Sequence, residues 1–208
     1  LMIILSMLSL LPIAFVLTTC FIKLAMVLTL TRESLGVQQV PPNIVIYGLS
    51  LILSFYIMGP VYDNTYKSLT SNIEQSKLIT AQTLISSFTA SSVPVKHFLI
   101  YHSEPNERDF FYQSLKKYWS PSMMVDVKKD DFIIAVPAFV VSELTQGFKI
   151  GFLIYLPSVI IDIIISNILM AMGMMMMSPV TISLPIKLLL FVSIDGWSRL
   201  IHALMGTY

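Results

Sequence analysis

FIIAVPAFVVSELTQGFKIGFLIYLPSVIIDIIISNILMAMGMMMM, residues 132–177, carries only three charges, Glu143, Lys149 and Asp162, in 46 positions. A helix on the surface of a soluble domain keeps one polar face. This stretch is apolar all round, and roughly 20 such residues suffice to cross a bilayer. The segment is therefore too long for a single span. Pro137 and Pro157 lie inside it, and Pro157 is expected to break or kink it, because proline removes a helix hydrogen bond.

Working outward, three more apolar blocks emerge: Leu1–Leu30, Ile44–Tyr62 and Val180–Leu204. The first is about twice the length of a secretory h-region and continues directly past Cys20, so a retained membrane helix is expected there instead of a cleaved leader or a lipoprotein anchor. Residue 1 is a leucine, so sequence upstream of it is expected. Pro41-Pro42-Asn43 opens the second block, which is expected to stop at Gly59-Pro60. Between Asp63 and Asp131 lies a water-compatible insert. In it Leu69, Ile73, Leu84, Ile85 and Phe88 recur at helical spacing, and Phe110–Trp119 follows acidic residues and ends near Lys116-Lys117, as the helix dipole favours. The expected fold is all-α, a membrane protein of helical hairpins divided as 1–62, 63–131 and 132–208. Arg32 in the short link after the first block favours a cytoplasmic link, with the insert on the opposite side.

Composition agrees. Hydrophobic residues make up 55% and charged residues 12% of 208, where soluble domains carry roughly a quarter charged; mean hydropathy is +0.78. A net charge of +1 offers no basic stripe for nucleic acid. The single Cys20 excludes an internal disulfide. His97 and His102 are five apart, off the spacing that shares a helical face, and with His202 they read as surface or packing residues, not metal ligands. No phosphate loop, nucleophile elbow or zinc motif is present. No enzyme activity and no cofactor are expected.

Charges inside the apolar blocks carry more information: Lys23, Glu143, Lys149, Asp162, Lys187 and Asp195. Such residues are costly in a membrane and face a protein interior or a wet cavity. Asp162 shares a helical stripe with Ser158 and Ser166, while Lys187, Asp195, Ser198 and His202 are expected on one face of the fourth block. If the chain reverses near Met174-Met175, Asp162 and Lys187 fall at similar depth, which predicts an ion pair within or between subunits; the alternative is a separate partner for each. Met174, Met175, Met176 and Met177 present flexible thioethers. From the pattern alone they are either packing residues or the apex of a turn.

Three stretches resemble the FliP/SctR family. Pro137 through Gly151 is similar to one of its signatures. Pro157 through Asp162, Ser166-Asn167 and Gly173–Met176 are similar to a second, continued by Ser178-Pro179, Pro185-Ile186-Lys187 and Asp195-Gly196-Trp197. Thr19–Lys23, Arg32, Leu35-Gly36 and Gln38–Asn43 extend the likeness to nearly the whole chain except the insert. One departure is Ser158, where the family often carries an aromatic residue. The resemblance implies a core subunit of the type III secretion export gate, closer to the virulence injectisome branch than to the flagellar one. It implies a five-copy assembly with FliQ/SctS-type and FliR/SctT-type partners in the bacterial inner membrane, sitting largely above the bilayer plane, with unfolded proteins passing along its axis. Met174–Met177 would match a gasket, and Asp162 and Lys187 a charge pair between neighbouring subunits. An ion-coupled transporter or a purely structural scaffold are the competing classes; the former would bury the same charges but show internal repeats.

Overall fold

The computed structural model describes residues 9, 12–37, 39–75, 91–120, 123–124, 127–174 and 176–208. Leu84, Ile85, Phe88 and Met175 lie outside them, and of Ile73 only the backbone is described. Among the described residues the fold is all-α. The helices are α1 (Pro12–Thr18), α2 (Phe21–Ser34), α3 (Asn43–Gln75), α4 (Val93–His102), α5 (Pro105–Tyr118), α6 (Phe132–Ala171), α7 (Pro179–Ser193) and α8 (Gly196–Met205). By length and composition α3 and α6 can each cross a membrane; α1–α2 and α7–α8 qualify only as bent pairs.

Four expectations about the blocks change. The first block is interrupted after Thr18. Thr18 and Thr19 donate their hydroxyls to the carbonyls of Ala14 and Phe15 at 2.8 and 2.9 Å, and such back-bonding bends a helix. The second block does not stop at Gly59-Pro60, because α3 runs through Pro60 to Gln75. No glycine or proline follows Pro60 until Pro94, so one lost bond costs less than ending the helix and nucleating another. Of the break or kink expected at Pro157, the break does not occur, because Pro157 lies inside α6, a 40-residue helix. The fourth block does break: Asp195 sits at φ 52° in the left-handed region, and α7 and α8 diverge by 61°. A Cβ on Gly196 would meet the Phe191 ring at 2.4 Å, so this turn requires glycine. The break also separates Lys187 from Asp195, Ser198 and His202, which therefore do not share one helical face.

The chain forms two compact units that interleave in sequence: Leu1–Ile22 with Ser54–Leu144, and Lys23–Leu53 with Thr145–Tyr208. In the first, Phe98, Leu99, Ile134, Ala135, Ala138 and Phe139 are buried, with the Phe98 and Phe139 rings 5.7 Å apart. Ser142 accepts the Glu104 N–H at 2.8 Å and so fixes the start of α5. Lys96 pairs with Asp131 at 3.2 Å, whose carboxylate also accepts the Lys128 N–H at 2.8 Å. That N–H, ahead of the Lys96 ammonium, holds the Asp131 carboxyl below its ordinary range despite partial burial. The contribution is present above the unfolded carboxyl's pKa and disappears as pH falls through the lower folded value. The stability advantage of the native chain over Asp131→Asn is therefore expected to be flat near neutrality and to vanish only below about pH 4, as thermal melts across that range would measure.

In the second unit α6 packs closely on α2. A Cβ added to Gly147 would lie 3.0 Å from Met26 Sδ, and one on Gly151 would lie 2.3 Å from Leu30 Cδ1. Two glycines one turn apart let the backbones approach, the small-xxx-small device of membrane helices. Leu24, Val27, Leu28, Ile46, Ile165 and Leu204 are buried within this unit.

Candidate functional site

The C-terminal hairpin is built by the end of α6. Gly173 takes φ 73°. Its N–H donates to Met170 C=O and that of Met174 to Leu169 C=O, each at 3.0 Å. This is a Schellman closure, in which glycine supplies the left-handed residue and the last helix carbonyls are satisfied. Met177 N–H then bonds back to Met174 C=O at 3.3 Å, and α7 starts at Pro179, a residue preset for a helix's first turn. Met174, Met176 and Met177 thus stand at a turn, away from either helix. Met176 is fully exposed, and Met174 and Met177 are exposed as well.

With the chain reversed, Lys187 Nζ donates to Asp162 Oδ2 at 2.6 Å. The side chains are 7% and 41% exposed respectively. The lysine is the buried member, and the aspartate reaches the surface. The two charges meet within one chain, whereas the resemblance implies a pair between neighbouring subunits. Ser158 lines an apolar cavity of about 260 Å³ with Pro157, Ile161, Lys187 and Phe191, at the position where the family often carries an aromatic ring.

The remaining charges divide. Lys23 and Glu143 are fully buried. Lys23 Nζ donates to Gln146 Oε1 at 3.0 Å and lies 3.9 Å from the centre of the Tyr208 ring, a cation–π contact that helps to offset desolvation. Gln146 and Tyr208 were not singled out by sequence reasoning. Gln146 lies three residues beyond Glu143, and Tyr208 offers no local signal. Lys149 and Asp195 are exposed, so the burial expected of them does not arise within this chain. Asp195 ends one helix and starts the next instead, its carbonyl accepting the Arg199 N–H at 3.1 Å.

His97 stacks on Tyr101 and His102 tilts against Phe98 at 4.5 Å between ring centres. Among the described residues no group of three or more His, Cys, Asp or Glu side chains converges as a metal site would need. Apolar side chains stay exposed along α6, among them Phe148, Phe152, Leu153, Ile160 and Ile164, far more than a water-soluble surface tolerates.

Comparison with known proteins bears on what this arrangement serves. The model of the FliP family matches residues 4–204. The chain is 49% identical over 208 residues to Yop proteins translocation protein R of Yersinia pestis, covering all of this chain and 95% of that one. It is 44% identical over 206 residues to virulence protein YscR of Salmonella typhimurium, covering 99% and 94%. With harpin secretion protein HrcR of Erwinia amylovora the identity is 41% over 204 residues, covering 98% and 93%.

Proposed function

From the premise that this chain belongs to the FliP family, we propose how it acts as a membrane component of the type III secretion export apparatus, in the injectisome branch. The observation that carries the reading is a match along the whole chain to translocation and secretion proteins, and not to one shared motif. The chain's role is that of a structural part of the apparatus, joined to other apparatus subunits.

In the proposed assembly about five copies surround an axis with FliQ/SctS-type and FliR/SctT-type subunits in the bacterial inner membrane, in line with what the family resemblance implies. The exposed apolar faces of α3 and α6 are then covered by neighbours as well as lipid. Each copy presents its methionine turn towards the axis, where the side chains close the path of unfolded substrates when nothing is passing. Asp162 and Lys187 brace the two arms of the hairpin that carries the turn. Lys23 and Glu143 serve assembly through the units that bury them, and Lys149 and Asp195 are placed for contacts with neighbouring subunits.

The test is native mass measurement of the detergent-extracted chain, alone and co-expressed with the two partner types. A discrete oligomer near five copies, stabilised by the partners, is the expected result. A stable monomer as the sole extractable form, indifferent to the partners, would overturn the proposal.

A further inference from the structure

We propose that the cavity beside Ser158 is a binding site for a small neutral aromatic molecule carrying one hydrogen-bonding group, a phenol or an indole by class. The cavity measures about 260 Å³ and is lined by residues of α2, α6, α7 and α8, all of them in the second compact unit. Its wall is mostly apolar, with Leu35, Ile154, Ile161 and Leu200 among the lining residues. Leu190 and Ile194 also line it and are about half exposed, at 48% and 47%, so a ligand has a way in from outside. An apolar cavity of about 150 Å³ already holds benzene. This one has room for one or two fused rings.

A single polar group in the wall is left for a ligand. The Thr31 hydroxyl donates to Val27 C=O at 2.8 Å and that of Ser34 to Thr31 C=O at 2.7 Å, while Lys187 Nζ is committed to Asp162. Ser158 is only 7% exposed, yet its hydroxyl makes no hydrogen bond among the described residues. Nor is its oxygen sealed away, as Tyr62 Oη and Asp162 Oδ1 are. A hydroxyl withdrawn from bulk water without a partner is unfavourable. An ordered water takes about three partners, and one free hydroxyl in an apolar wall holds it poorly. A ring that brings its own donor or acceptor satisfies both the wall and the hydroxyl, the usual pattern of a small-molecule pocket.

An aromatic ring, and not an acyl chain, follows from the same residues. The terminus of an acyl chain leaves the Ser158 hydroxyl unpaired. Phe191 also lines the cavity, and its ring is fixed before any ligand arrives. It lies against Gly196, where a Cβ would meet it at 2.4 Å, and it meets Trp197 edge-on with ring centres 5.4 Å apart. A ring held in place offers stacking or edge contacts that an aliphatic chain cannot return.

The experiment is ligand-observed NMR on the assembled complex in lipid nanodiscs, with 2-naphthol as the probe and naphthalene as its apolar counterpart. Saturable binding of both is expected, with 2-naphthol the tighter. Ser158→Ala keeps the cavity and removes the hydroxyl, so 2-naphthol should weaken about fivefold while naphthalene is unchanged. Ser158→Phe turns a ring into the cavity and should abolish saturable binding of both probes, leaving only partition into the lipid. Should an acyl chain or a neighbouring side chain already fill the cavity, the native complex will bind neither probe, and the site is overturned. Binding that persists in an assembled Ser158→Phe complex would overturn it too. Equal affinities of Ser158→Ala and the native complex for 2-naphthol would overturn the role given to the hydroxyl.

Discussion

Asp162→Lys is expected to abolish assembly and secretion, because it sets two ammonium groups where one ion pair now stands. The geometry adds an asymmetry to this result. Lys187 is 7% exposed and Asp162 41%, so a stranded lysine has little water to turn to, whereas a stranded aspartate can hydrate. Removing one partner of a buried pair costs roughly 3–5 kcal/mol. Asp162→Ala should fall near the low end of that range and Lys187→Met below it, since the Asp162 side chain is 41% exposed although its Oδ1 is itself buried. Asp162→Lys combined with Lys187→Asp should recover part of the assembly, because the opposite charges meet again at the same depth. Recovery will be partial, since the longer side chain then sits on the more exposed position. Assembly scored by native gel across the set provides the check. A double exchange no better than either single variant would show that the pair does not act as a unit, and equal losses for Asp162→Ala and Lys187→Met would refute the asymmetry.

Alanine at Met174, Met175, Met176 and Met177 together is expected to leave the complex assembled but leaky. Met174, Met176 and Met177 are exposed, so truncating them removes little packing within the chain. The turn itself depends on Gly173 and the backbone bonds to Leu169 and Met170, which alanine leaves intact. The proposed loss lies in the bulk that several copies bring to the axis, where apolar side chains bar ions by keeping water out. Conductance of the assembled complex in a bilayer should rise by an order of magnitude or more as that dewetted constriction opens. Isoleucine at the same positions should keep the barrier but slow export, since branched side chains adapt less readily than thioethers. Unchanged conductance in an intact alanine complex would reduce the methionines to surface residues of a turn.

Much of this was readable along the chain. Apolar blocks, a reversal at the methionine run and the equal depth of Asp162 and Lys187 follow from local composition and from counting residues to a turn. Gly173 announced the reversal because few other residues accept φ 73°. The helix boundaries were less legible. Hydropathy sums side chains and does not register that Thr18 and Thr19 redirect their hydroxyls to the backbone, nor that an apolar helix absorbs Pro60 or Pro157 at the loss of a single bond.

Burial of individual charges was decided only by the packed structure. Lys23, Lys149 and Asp195 look alike as charges in apolar sequence, yet Lys23 is fully buried and the other two are exposed. The difference lies in what each side chain meets. Lys23 meets Gln146 and the Tyr208 ring, brought from distant parts of the chain as α6 closes on α2 through Gly147 and Gly151. Asp195 is left outside by the left-handed turn that separates α7 from α8. Arg32 shows the same limit. Its position in a polar link was plain from the sequence, but its burial and its bonds to Pro41 C=O and Asn43 Oδ1 were not. Composition and spacing determine which segments leave water, because transfer energy is summed residue by residue. Which charge is buried depends on the direction of each side chain once helices dock, and that direction exists only in the folded chain.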